Sequence, residues 1–348
     1  MKKIRVGILG ATGMVGQQFV SLLQDHPWFE ITALAASEKS AGKPYVEAVQ
    51  WVQSEPLPEA VADLPVREAR PGLPCEVVFS GLDASAAESI ERAFADAGYA
   101  VISNARNYRM HPKVPLLVPE VNPNHIELIR RQQEGHPKRG FIVTNPNCST
   151  TGLVLGVLPL WRRFGIRRML VTTLQAVSGA GFPGLPAMQM LGNVLPHIRG
   201  EAEKIQTEPR KLFGSLEGDR VRAAEIQIGA QCNRVPVLNG HLISVSLELR
   251  QQATLDAVRE TLRQFVSPLA EWNLPSAPPQ PVRFVEDPFA PQPARDLMAD
   301  GGMTVTVGQL APCPVLDYRL VILVHNTIRG AAGGAILNAE WLHVNGYL

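Results

Sequence analysis

Residues 4–16 read Ile4-Arg5-Val6-Gly7-Ile8-Leu9-Gly10-Ala11-Thr12-Gly13-Met14-Val15-Gly16. The first six form a short, mostly apolar run with strand character, and the glycines follow at once. Val15, Phe19, Leu22 and Leu23 then recur at i, i+4, i+7 and i+8, the spacing of an amphipathic helix. Strand, glycine turn and helix in this order are the context that a dinucleotide fingerprint requires. The spacing is G-x-x-G-x-x-G rather than G-x-G-x-x-G, but the physics is shared: glycines let the backbone approach a pyrophosphate held on a helix N-terminus. Gly10, Thr12, Gly13, Met14 and Val15 are the candidate cofactor contacts in this turn.

Units of the same kind follow. Ile31 to Ala36 reads as a strand ending in Ser37-Glu38-Lys39-Ser40, about twenty residues beyond the glycines, where a ribose is recognised. A 2′-hydroxyl calls for a carboxylate there and a 2′-phosphate for donors and positive charge. Ser37, Lys39, Ser40 and Lys43 favour NADP, while Glu38 could serve the opposite purpose. Glu76 to Phe79 leads through Ser80 and Gly81 into a helix carrying Ile90 and Phe94, with Asp83 as candidate N-cap. Ala100 to Ile102 is a further strand. This alternation predicts a doubly wound, parallel, Rossmann-type sheet, with ligands beyond the carboxyl ends of its strands. Gly10, Ser80, Asn104 and Cys148 all fall at such ends.

Cys148 lies in Asn145-Pro146-Asn147-Cys148-Ser149-Thr150, between the apolar strand Phe141-Ile142-Val143 and the apolar run Gly152 to Leu158, which reads as a buried helix. A cysteine on a strand-to-helix turn meets free amides and the positive end of the helix dipole. A stabilised thiolate is the expectation.

After about residue 160 the texture changes. Met169 to Leu174 is a strand running into the glycine-rich Gln175 to Gly184. Ile243, Val245, Leu247 and Leu249 alternate, so this sheet has one polar side, with a helix over 254–266, capped by Thr254, on the other. Met303 to Val307 and Leu320 to Val324 supply further strands, and 275–293, with seven prolines, reads as a surface loop. A C-terminal α+β domain with a largely antiparallel sheet is expected. Ala331 to Leu342 is a thin, Gly/Ala-rich helix suited to close packing.

At 348 residues, two domains are favoured over one core. A net charge of +1 gives no reason to expect nucleic acid or an anionic membrane. Four scattered cysteines, with no CxxC pair, argue for a reducing compartment and against a disulfide framework or a structural metal. Met1-Lys2-Lys3 leads directly into a strand and does not read as a signal peptide, and no run of about 20 apolar residues suits a membrane. A cytoplasmic protein is expected.

Six motifs in order carry a resemblance. They are Gly10 to Gly16, Asn145 to Thr150, Ser178-Gly179-Ala180-Gly181, Gly200-Glu201-Ala202-Glu203-Lys204-Ile205, Asn233 to His241 and His325-Asn326-Thr327-Ile328-Arg329-Gly330. With these the chain resembles aspartate-semialdehyde dehydrogenases of the archaeal and fungal branch over nearly its whole length. The resemblance implies NADPH-dependent reductive dephosphorylation of aspartyl 4-phosphate through a thioester on Cys148, in biosynthesis of the aspartate-family amino acids. It implies His241 as acid/base and Gln175 as the residue orienting the acyl intermediate. Arg234 would hold the substrate carboxylate, Glu201 its ammonium, and Lys204, Arg109 and Asn147 its phosphate. Ser178, Gly179 and Asn326 would touch the cofactor. The implied division is a cofactor domain over 1–147, completed by a C-terminal helix at 327–348, and a catalytic and dimerisation domain over 148–326, in a homodimer or homotetramer. Ala202 interrupts an acidic cluster and Gly192 replaces a frequent Asp. Malonyl-CoA reductases and other acyl reductases share the cysteine design and are the rival reading. A binding protein that has lost activity is a further one.

Overall fold

In a computed structural model that describes residues 2–136 and 140–348, the chain builds two six-stranded sheets. The first contains β1 (Ile4–Leu9), β2 (Phe29–Ala36), β3 (Val66–Glu68), β4 (Val77–Ser80), β5 (Ala100–Ser103) and β6 (Phe141–Thr144). All are parallel, in the order β3-β2-β1-β4-β5-β6. This is the doubly wound arrangement that alternating strands and helices predict. Leu9, Ser80, Ser103 and Thr144 lie side by side across the ladders, so the segments after them leave one carboxyl edge together. The helix Met14–Leu23 follows the glycine turn. Gly10 has φ +75°, and a Cβ on it would meet the Gly81 carbonyl at 2.9 Å, so only glycine closes this turn. Asp83 stands at the N-cap of helix Ala84–Asp96, but its side chain makes no capping bond.

The second sheet holds β7 (Ile166–Gln175), β10 (Gln227–Arg234), β11 (His241–Leu249), β12 (Val282–Phe284), β13 (Val305–Pro312) and β14 (Tyr318–Val324), while β8 (Ser215–Glu217) and β9 (Arg220–Arg222) form a separate hairpin. The order is β10-β7-β11-β14-β13-β12. The three central ladders are antiparallel and both outer ones parallel, so the sheet is mixed. Two expectations are corrected here. The proline-rich segment is not all loop: it supplies β12, an edge strand, where proline is tolerated. The apolar face is covered chiefly by the helix Cys148–Phe164 rather than by Leu255–Arg263, which flanks it, capped as expected by Thr254. The reason is Gly152 and Gly156. A Cβ on either would lie 2.5 Å from Val324 or 2.6 Å from Ile322, so this glycine face lets the helix sit directly on β14.

The chain returns after β14. A wider turn, Ile328–Ala332, leads into helix Gly333–Val344, whose Ile336, Leu337 and Trp341 join the core beneath the first sheet. Asn145 Nδ2 donates to the Ala331 carbonyl, and Asn338 Nδ2 donates to Asn145 Oδ1. The last helix is thereby tied to the turn that carries Cys148.

Candidate active site

Cys148 is the first residue of its helix. Asn147 caps that helix: its Oδ1 accepts from the Ser149 and Thr150 amides at 3.0 and 3.2 Å. Behind Cys148 a Cβ on Gly330 would lie 2.6 Å from the Cys148 Cβ, so the last motif of the chain is a wall against the cysteine. Gly330 lies in a motif quoted above but was given no role there, because nothing local marks it as a contact.

Gln175, Arg234 and His241 arrive from three adjacent strands. Gln175 and Arg234 are register partners at the carboxyl ends of β7 and β10, and His241 opens the antiparallel neighbour β11. Gln175 Nε2 donates to Glu201 Oε2 at 3.1 Å, Asn147 Nδ2 donates to the same oxygen at 2.9 Å, and Lys204 Nζ donates to Glu201 Oε1 at 2.5 Å. Burial pushes the Glu201 carboxyl up, but Lys204 and these amides outweigh it and hold it below its usual value. Arg234 donates from NH1 to the Ala176 carbonyl at 2.8 Å. The Ala176 amide donates to His241 Nδ1 at 3.1 Å, leaving Nε2 with no partner among the described residues. Burial and then Arg234 push His241 down to about 3, so the resting ring is neutral. A Cβ on Gly179 would fall 2.8 Å from Arg234 NH1 and 3.1 Å from the His241 ring, which explains a glycine there.

The thiol departs from expectation. Burial, then the Glu201 carboxylate, pushes Cys148 up to about 12, against the opposing pull of Arg109, Arg234 and the Ser149 amide. The helix N-terminus is outweighed, and the expected stabilised thiolate is corrected to a thiol.

The expected cofactor residues line the carboxyl edge of the first sheet and the loop facing it. No side chain caps the Met14–Leu23 helix, whose N-cap is Gly13, so its first amides remain available to an anion, and Thr12 lies in the turn before them. Ser37, Lys39 and Ser40 form a solvent-facing turn after β2. Across the gap Asn326 donates to Ser178 Oγ and accepts from the Gly240 amide, both at 2.8 Å, so it clasps the segments on either side of His241. A nucleotide's phosphates fit the uncapped helix start. Arg109 is buried and engaged, through NH1 with Glu208 and NH2 with the Asn104 carbonyl. Glu208 had no place in the sequence reading. Among the described residues no group of three metal-ligating side chains occurs.

Two family models match, the semialdehyde dehydrogenase NAD-binding domain over residues 5–129 and the semialdehyde dehydrogenase dimerisation domain over 157–329. The chain is 45% identical to an aspartate-semialdehyde dehydrogenase of Candida albicans, covering 97% of each chain. The chain belongs to the aspartate-semialdehyde dehydrogenase family. A relative of the same name from Methanothermobacter thermautotrophicus is 46% identical, over 98% of this chain and 99% of its own. Among solved structures, the Candida albicans family member with NADP superposes with a TM-score of 0.92 at 42% identity over all of both chains. A second family member, aspartate-semialdehyde dehydrogenase II of Vibrio cholerae complexed with ASA, superposes with a TM-score of 0.78 at 26% identity over all of both chains.

Proposed function

We propose that the protein reduces L-aspartyl 4-phosphate to L-aspartate 4-semialdehyde with NADPH, releasing phosphate. The observation that carries this is the set of opposed charges about one cysteine: Arg234 and Arg109 as cations and Glu201 as an anion act on Cys148, and Lys204 pairs with Glu201, the set needed for a carboxylate, a phosphate and an ammonium. Cys148 attacks the acyl carbon, the acyl–oxygen bond breaks, and phosphate leaves with a thioester on sulfur. An ammonium drawn to Glu201 cancels the charge that holds the thiol protonated, so substrate binding itself favours the thiolate. His241 takes the thiol proton at Nε2 as sulfur attacks, and returns it to sulfur when the carbon–sulfur bond of the hydride-reduced adduct breaks and the semialdehyde leaves. Negative charge building at the acyl oxygen raises the ring's basicity against the lowering by burial and Arg234. Gln175, fixed by Glu201, orients the acyl group. NADPH, when bound on Gly10 to Val15, Ser80, Gly81, Ser178, Gly179 and Asn326, with Ser37, Lys39 and Ser40 about its 2′-phosphate, supplies the hydride.

The reading includes a cofactor domain over 1–147 completed by 327–348, a catalytic domain over 148–326, and a cytoplasmic location. No helix among the described residues is long and apolar enough to cross a membrane. A homodimer or homotetramer that pairs subunits through the open face of the second sheet is part of it, supported by Leu170 and Leu174, which are 56% and 39% exposed there. The test is NADP reduction by aspartate semialdehyde. It should require phosphate and vanish in Cys148→Ala with cofactor affinity retained. CoA-dependent, phosphate-independent turnover would instead establish a CoA-thioester reductase.

A further inference from the structure

Glu201, Lys204, Glu208 and Lys211 recur at i, i+3, i+7 and i+10 on the helix Glu201–Leu212, which packs on β10 and on the Cys148 helix, so they form one stripe along it. The first two belong to the substrate site above. The second two have no place in the proposed chemistry, yet both are buried, which for charged groups is costly unless every bond is made.

Glu208 makes two such bonds. Its Oε1 accepts from Arg109 NH1 at 2.9 Å and its Oε2 from the Asn147 backbone amide at 2.7 Å. The carboxylate thus joins a guanidinium on the loop after β5 to the residue directly before the nucleophile, partners 99 and 61 positions away. Lys211 works beside it, with Nζ donating to the carbonyls of Arg109, His111 and Val114 at 2.7, 2.8 and 2.8 Å. The Arg109 guanidinium is fixed at NH1 and NH2, while its buried Nε has no partner among the described residues and remains free to donate. A buried ion pair is a weak source of stability compared with an apolar replacement. What this one secures is register: a bidentate carboxylate sets the distance between the Arg109 fork and the Cys148 turn.

We infer that Glu208 is a positioning residue that holds Arg109 against the departing phosphate while fixing the backbone turn from which Cys148 attacks. The inference rests on the reading that Arg109 faces the phosphoryl group.

Glu208→Gln tests it. The amide is the same size, but it accepts at one atom only and presents an N–H to the other donor, so one of the two links must break. In the phosphate-dependent oxidation of the semialdehyde, the KM for phosphate should rise about tenfold or more and kcat should fall. The KM for NADP should stay within about twofold, whereas a merely structural lesion would move both constants together. Arg109→Lys should also raise the phosphate KM, and the double variant should be no worse than the poorer single one, because both act through one contact. An unchanged phosphate KM in Glu208→Gln, with Arg109→Lys impaired, overturns the positioning role and leaves the phosphate reading standing. An unchanged phosphate KM in Arg109→Lys removes the phosphate reading and the inference with it. If Glu208→Gln does not fold, Glu208→Asp keeps the charge but loses the reach. It should show the same selective rise, and a normal phosphate KM there overturns the role.

Discussion

The Asn147 side chain faces two ways: its oxygen caps the helix that starts at Cys148, and its nitrogen donates to Glu201 Oε2 at 2.9 Å. Helix start and the Glu201 carboxylate are therefore one network. Asn147→Asp keeps the cap acceptor but sets a second carboxylate against Glu201. It should lower kcat by about 10² or more. Asn147→Ala should in addition lose about 1 kcal/mol of stability with the cap. Steady-state rates and thermal melts on both variants distinguish the two losses.

The raised thiol predicts slow alkylation. In the ligand-free protein the rate of Cys148 modification by iodoacetamide should climb about tenfold per pH unit between pH 7 and 10, with no plateau. Glu201→Gln removes the negative charge that helps keep the proton on sulfur, so it should accelerate the reaction at pH 8. Mass-spectrometric tracking of the Cys148 peptide measures both. A plateau near pH 7 would show that the helix N-terminus prevails after all.

Much of this site was legible beforehand because its signals are local. The glycine turn follows its strand at once, Cys148 stands where an apolar strand passes into a helix, and Thr254 caps its own helix, all patterns within a few residues. What escaped notice depends on distant neighbours. Glu208 and Lys211 look like solvated charges on an amphipathic helix until the partners from 61 to 102 positions away are known. Gly330 has no local reason to be glycine; the reason is the Cys148 Cβ. β12 has three residues among prolines, too short for periodicity to register, and exists because β13 offers it an edge. The thiol was misjudged because burial and Glu201 act through space, whereas the helix start was the only influence the chain order revealed.

Cofactor choice should respond to the turn after β2. Lys39→Ala together with Ser40→Ala removes charge and donors from an exposed turn, so the KM for NADP should rise about tenfold while that for NAD changes little. Equal losses with both cofactors would mean that these residues shape the turn rather than recognise the 2′-phosphate. Initial-rate measurements with each cofactor decide.

Stability should fall in mild acid, and one histidine shows why. His125 is buried, with Asn122 Nδ2 at 2.8 Å from Nδ1 and the Gly214 carbonyl at 3.2 Å from Nε2. Burial pushes it down to about 4, against about 6.5 for a free imidazole. Between these values the unfolded chain binds a proton that the folded protein refuses, so stability rises with pH across the window and is lost as pH falls from about 6.5 towards 4. From pH 7.5 to 5.0 this one group should cost about 2 kcal/mol. His241 and His325, pushed down to about 3 and about 4 by burial, act in the same direction. His125→Gln offers hydrogen-bonding groups but does not titrate, so it should lose about 2 kcal/mol less than the parent over that interval without abolishing the slope. Urea unfolding at the two pH values measures the difference. A variant with the parent's full acid sensitivity would show that His125 is protonated in the folded state, and that its burial is not what makes the protein acid-labile.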